Sequence, residues 1–145
     1  MKTSKAIHLF ENKKIAIVGG GHGGLTLARL LQLKGAAVKV YERDHSAAAR
    51  VQGAIVDLHF ESGLKVVKAA GLMDAFKANY MPGADKFRFL DKDATIVFDE
   101  PNQGPGDFDD ERFRPEIDRG ALRNLLIDSL APGTVVWVVA RSLSG

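Results

Sequence analysis

Residues 15–44, IAIVGGGHGGLTLARLLQLKGAAVKVYERD, constrain this 145-residue chain more than any other stretch. An Ile/Val-rich run ends in a knot of glycines; an amphipathic stretch follows, then a second apolar run ending in a carboxylate. Lys14–Val18 reads as a buried strand of parallel type, apolar on both faces and closed by glycine. Leu25, Leu27, Ala28, Leu30, Leu31 and Leu33 recur at near-helical spacing, with Arg29, Gln32 and Lys34 between them. Gly35 stands where a helix C-cap glycine belongs. Residues 38–41 form a second strand. Strand, helix and strand within about 30 residues make a βαβ unit, and its crossover is right-handed.

The glycines add chemistry to that unit. Gly19, Gly21 and Gly24 have the G-x-G-x-x-G spacing, directly after a strand and directly before a helix. The first glycine permits the tight turn, the second a close approach to a pyrophosphate, and the third close packing of helix on strand. The helix start supplies unsatisfied N–H groups and a dipole that favours an anion. Glu42 follows Gly24 by 18 residues, at the end of the second strand. A carboxylate there accepts ribose hydroxyls and repels a 2′-phosphate, which points to FAD or NAD rather than NADP. The competing reading is a βαβ unit whose glycines serve packing alone.

Composition bounds the rest. Hydrophobic residues are 46% of the chain and charged residues 26%, which fits one globular domain. A net charge of +2 gives no reason to expect a nucleic-acid partner. With no cysteine, disulfides, thiolate metal sites and cysteine nucleophiles are excluded. His8, His22, His45 and His59 show no i, i+4 pairing, so no metal site is expected. No apolar run approaches the roughly 20 residues that span a bilayer, and the N-terminus lacks a secretory apolar core. Those features lead to the expectation of a cytoplasmic protein without a membrane partner.

The remaining pattern is looser. Residues 1–13 read as an arm and 14–145 as the domain. A short strand is expected at 55–58, a helix at 60–70 closed by Gly71, and a helical turn at 72–77. Residues 86–90 and 95–98 flank the polar turn Asp91-Lys92-Asp93 as a hairpin outside the main sheet. Residues 99–114, with two prolines, two glycines and Asp107, Asp109, Asp110 and Glu111, read as a solvated loop. Asp118 caps a helix running to 130 with Leu122, Leu125, Leu126 and Leu130 on one face. Pro132-Gly133 ends it, and 134–139 form a strand parallel to the first two. The expected fold is α/β: a Rossmann-like βαβ unit with a parallel sheet and a small antiparallel hairpin.

The YERD at 41–44, together with ARVQGAIVDLH (49–59), AAGLMDAF (69–76), RFRPEIDRGALRNLLIDSL (112–130) and TVVW (134–137), resembles the class A flavoprotein monooxygenases, the para-hydroxybenzoate-hydroxylase-like group. Within that group it is most similar to the tetracycline-inactivating monooxygenases. The resemblance implies FAD as cofactor, NADPH as co-substrate, and hydroxylation of a small organic molecule such as a tetracycline, a route to antibiotic resistance. It places Gly19, Gly21 and Gly24 at the FAD pyrophosphate, Glu42 at the adenosine ribose and Arg43 by the adenine. Arg50 would sit near the flavin, and Asp57 would contact the flavin side of FAD. Arg119 would make a further FAD contact, with Arg123 nearby. Two placements have support from the residues themselves. Asp57 lies between Val56 and Leu58, an awkward place for an unpartnered carboxylate, and Arg119 opens a helix, where a cation is disfavoured without an anionic partner.

His22 departs from the family, which carries proline or a small residue there; it is read either as a phosphate donor or as a solvent-facing loop residue. The resemblance is lost after Trp137, at VVARSLSG. Family members run to more than twice this length, so the chain is expected to be a partial FAD-binding domain without a substrate domain. A frameshift or premature stop is the expected origin of the divergent end. Three readings stand: the FAD-binding part of a monooxygenase, an NAD-dependent Rossmann oxidoreductase, and a catalytically inactive nucleotide-binding remnant prone to self-association through uncovered sheet edges.

Overall fold

A computed structural model describes residues 9–49, 53–84, 86–101 and 106–137. β1 (Lys14–Val18) and β2 (Ala37–Glu42) pair in parallel, with Ile15 opposite Val38 and Val18 opposite Tyr41. The other side of β2 pairs in parallel with β7 (Val135–Trp137), which sets Glu42 opposite Trp137. The sheet order β1-β2-β7 puts the carboxylate-bearing strand in the middle. The last strand was expected to reach 139; residues 138–145 lie outside the described part of the chain.

α1 (His22–Leu33) is the crossover between β1 and β2. It buries Leu25 and Ala28 against Ile17, Val38 and Val40. Lys34 caps it, and Gly35 turns the chain at φ +83°, a left-handed backbone that a side chain resists. One expectation fails here. β1 is not buried on both faces: Val18 is 91% exposed, and β2 alternates strictly, Val38, Val40 and Glu42 inward. The alternation is that of a sheet with one covered face.

β3 (Ile55–Asp57) pairs antiparallel with β6 (Glu116–Asp118), Val56 opposite Ile117. β6 is absent from the sequence reading because three residues, only one of them apolar, carry no period. It leads straight into α4 (Arg119–Asp128), whose first turn is capped by Asp118 accepting the Ala121 N–H at 2.9 Å. The expected helix at 60–70 is two pieces, a π-helical turn at Phe60–Leu64 and α2 (Lys65–Ala69). Gly63 lies against the Leu58 side chain at that turn. α3 (Met73–Lys77) follows. The 99–114 segment is only partly solvated, since Phe108 and Phe113 pack edge-on at 5.1 Å and join Tyr80 and the fully buried Phe76.

The hairpin forms as expected, β4 (Arg88–Leu90) antiparallel to β5 (Ile96–Asp99). The Asp91 carboxylate accepts the N–H groups of Asp93 and Thr95 in its turn. At the N-terminal end, the arm reaches the core through Phe10, which packs against it.

Arg29 ties the helices together from below. Its guanidinium donates to the Ala70 carbonyl at 3.2 Å and the Ser129 carbonyl at 2.9 Å, the last residues of α2 and α4 respectively plus one. A cation between two helix C-termini satisfies orphan carbonyls and complements both dipoles. Arg29→Met keeps the stem but leaves both carbonyls unpaired, so we expect a loss of about 2 kcal/mol in urea unfolding. An unchanged midpoint would show that water replaces the guanidinium without cost.

Candidate dinucleotide-binding site

The glycine loop connects β1 to α1 over the C-terminal end of the sheet. The Gly19 N–H donates to the Tyr41 carbonyl at 2.9 Å, which docks the loop on β2, and the Gly19 backbone sits at φ +105°. The three motif glycines have different reasons to be glycine. A methyl group on Gly24 would overlap the Gly19 carbonyl oxygen, so Gly24 is required by helix-on-strand packing. A methyl group on Gly21 would meet nothing within 4 Å, and Gly21 has an ordinary extended backbone (φ −76°, ψ 176°). Nothing among the described residues demands glycine there. The open space lies at the start of α1, where helix N–H groups have no intrahelical acceptor.

Glu42 lies behind this loop and is 6% exposed. Its Oε2 accepts the Gly20 N–H at 2.6 Å and its Oε1 accepts the Asp44 N–H at 3.1 Å. Arg123 reaches in from α4, itself 3% exposed, with its guanidinium 3.7 Å from Glu42 Oε2 and 3.4 Å from Asp44 Oδ2. It also donates to the carbonyls of Gly20 (3.1 Å) and Ala47 (3.3 Å) and lies over the Trp137 ring. Burial pushes the Glu42 carboxyl up, yet the amides of Asp44 and Gly20, with Arg123, outweigh burial and the Asp44 charge. The net pKa is below the ordinary glutamate value. Glu42 therefore contributes stability that is present above the ordinary glutamate range and lost as pH falls through its lowered folded value.

The other expected site residues are placed as follows. Arg43 and Arg119 are exposed, at the end of β2 and the start of α4, and neither side chain has an ion-pair partner among the described residues. Arg50 lies outside the described residues. Asp57 needs a correction: strand alternation turns it away from Val56, its side chain is 52% exposed, and its carboxylate pairs with His59 Nε2 at 3.0 Å. Its position is not the awkward one that its apolar neighbours suggest. Arg123 is buried beside Glu42 and Gly20. His22 is half-buried, and its Nε2 bonds the Arg119 carbonyl at 2.8 Å; a carbonyl only accepts, so the ring donates. The start of α1 is thereby tied to the start of α4. Among the described residues no cluster of three His, Asp or Glu side chains could hold a metal ion, and no helix is long and apolar enough to cross a membrane.

Comparison with known proteins fits this geometry. Residues 17–76 match the family model described as an NAD(P)-binding Rossmann-like domain. The monooxygenase asqM of Emericella nidulans is 35% identical over 129 residues, 86% of this chain and 27% of that one. Over most of its length the chain is similar to part of a monooxygenase. Two solved structures share the fold of this chain. The tetracycline destructase Tet(55) has a TM-score of 0.64 at 21% identity, covering 89% of this chain and 30% of its own. A structure from Photorhabdus luminescens described as a FAD containing monooxygenase has a TM-score of 0.62 at 22% identity, covering 87% and 30%. The chain thus spans between a quarter and a third of the proteins it is compared with.

Two residues of the site escape the G-x-G-x-x-G pattern. A methyl group on Gly20 would press on the Glu42 side chain at 3.0–3.2 Å, so Gly20 is glycine because Glu42 is buried against it. Asp44 shares Arg123 with Glu42. The run of three glycines at 19–21 is the one trace of the first constraint in the sequence, and nothing near Asp44 announces the second.

Proposed function

We propose that this chain is the FAD-binding portion of a monooxygenase that draws on NADPH and hydroxylates a small organic molecule. The observation that carries this reading is the pairing of Gly21, which faces open space, with Glu42, an ionised carboxylate fixed at the end of the central strand. A pyrophosphate would lie against the α1 start and an adenosine ribose would reach Glu42. Arg43 and Arg119, exposed and without ion-pair partners among the described residues, would face the adenine and a phosphate. Bound FAD would supply the redox and oxygen chemistry, while these residues bind and orient it. A tetracycline-like substrate is supported by the sequence resemblance and by the likeness to a tetracycline destructase.

The test is a flavin-fluorescence titration of the chain with FAD, beside Glu42→Ala. Saturable binding is expected, weakened about tenfold to a hundredfold in the variant, the range for one or two hydrogen bonds to a charged acceptor. Because the Glu42 pKa is lowered, wild-type affinity should stay flat from neutral pH into the mildly acidic range and fall only below it. Tighter binding of NADH than of FAD would favour an NAD-dependent oxidoreductase, a reading that the description of the matched family model also admits. Binding indifferent to Glu42 would reject both.

A further inference from the structure

We propose that Arg123 is the positioning residue of the dinucleotide cradle: reaching from α4, it locks the Gly20 peptide and the Glu42 carboxylate together and so sets the spacing between the two ends that read an ADP-bearing ligand. This rests on the dinucleotide reading of the site. The Gly20 peptide is held from both sides, its N–H by Glu42 Oε2 and its carbonyl by the Arg123 Nε. The same guanidinium takes Asp44 and the Ala47 carbonyl, which fixes the chain leaving β2. A single planar fork therefore joins the loop before α1, the strand end and the turn after it. A lysine ammonium has the charge but not the fork.

The charges around Glu42 explain why this is more than packing. From the loop after β2 it faces Asp44, from α4 it faces Arg123, from the glycine loop the Gly20 amide, and from β7 the uncharged Trp137. Both carboxylates reach the Arg123 guanidinium. Without Arg123, Glu42 would lose a cation that favours its charged form, and its pKa would rise. The cradle would lose its spacing.

The experiment has a ligand-free arm and a ligand arm, on wild type, Arg123→Met and Arg123→Lys. Carbon-detected NMR follows the Glu42 carboxyl through a pH titration, hydrogen exchange follows the Gly20 amide, and calorimetry measures ADP binding. In Arg123→Met we expect the Glu42 midpoint to rise and Gly20 exchange to quicken about tenfold. ADP should bind about tenfold more weakly, and the deficit should widen toward acid pH as Glu42 protonates. Arg123→Lys should restore the Glu42 midpoint but not the Gly20 protection. An unmoved Glu42 midpoint and Gly20 exchange in folded Arg123→Met would overturn the proposal, as would unchanged ADP affinity beside a shifted midpoint. If Arg123→Met does not fold, Arg123→Lys decides: native Gly20 protection overturns the proposal, and lost protection with a native midpoint supports it. A wild-type chain that ignores ADP would overturn the dinucleotide reading and, with it, the ligand-setting role of Arg123. The ligand-free arm would then show separately whether Arg123 governs Glu42.

Discussion

Alanine at Gly24 should cost about 3 kcal/mol of stability, whereas alanine at Gly21 should change stability by less than about 1 kcal/mol and still weaken FAD binding. The difference lies in what each new methyl group meets. At Gly24 it would overlap the Gly19 carbonyl oxygen, a backbone atom fixed by the left-handed Gly19 conformation and by the Gly19 N–H bond to Tyr41. Neither α1 nor β1 can retreat without opening the contact of Leu25 with Ile17 and Val40. At Gly21 the methyl group would project into open space from an ordinary extended backbone. The loss there would fall on whatever occupies that space. Urea unfolding of both variants beside FAD titration separates the two roles. Should Gly21→Ala bind FAD as wild type does, the open space is not the pyrophosphate site.

Phe76→Ala should be the most damaging core substitution, costing about 3–5 kcal/mol. That is a large part of the roughly 5–15 kcal/mol that holds a domain together. The Phe76 side chain is fully buried, stacked on Tyr80 at 6.4 Å and edge-on to Phe108 at 6.2 Å. Its removal leaves a void between α3 and the start of the β6–α4 segment, where Met81 bridges Glu116. Because α4 carries Arg123, damage in this aromatic cluster should reach the cradle. We expect a thermal midpoint lower by roughly 10–20 °C and weaker FAD binding well below that midpoint. A shift of only a few degrees would mean that Phe108 and Phe113 collapse into the space.

The parts legible in the sequence are those carried by local pattern. β1, the glycine loop, α1, Gly35 and β2 follow from periodicity and turn chemistry within 30 residues, and Glu42 follows from its place at a strand end. The hairpin and the Asp118 cap were readable for the same reason. What escaped is set by partners distant in the chain. β6 exists because Ile117 has Val56 to face, and nothing around Ile117 shows that. The one-sided burial of the sheet depends on what lies over Val18 and Tyr41, which local sequence does not encode. Arg123 sits among Leu122, Leu125 and Leu126, so helical spacing alone places it beside the apolar face without saying that two carboxylates wait there. Asp57 misled in the opposite sense, because apolar neighbours in a strand point away from it.

The hydrogen bond from Arg123 to Gly20 closes a loop of 103 residues, and those from Gln32 to Thr134 and from Arg29 to Ser129 close loops of 102 and 100. A fold whose defining contacts lie so far apart is slow to assemble, because chain entropy must be spent before those contacts form. During synthesis the glycine loop emerges early, but the residue that fixes it arrives about 5–20 s later at ordinary translation rates. β2 likewise waits for β7 with its second edge unpaired. The nascent chain therefore presents an open parallel strand edge and an unset loop until α4 and β7 are made. Early ligand capture by residues 15–44 alone should not rescue it, since Glu42 lacks Arg123 until α4 folds back.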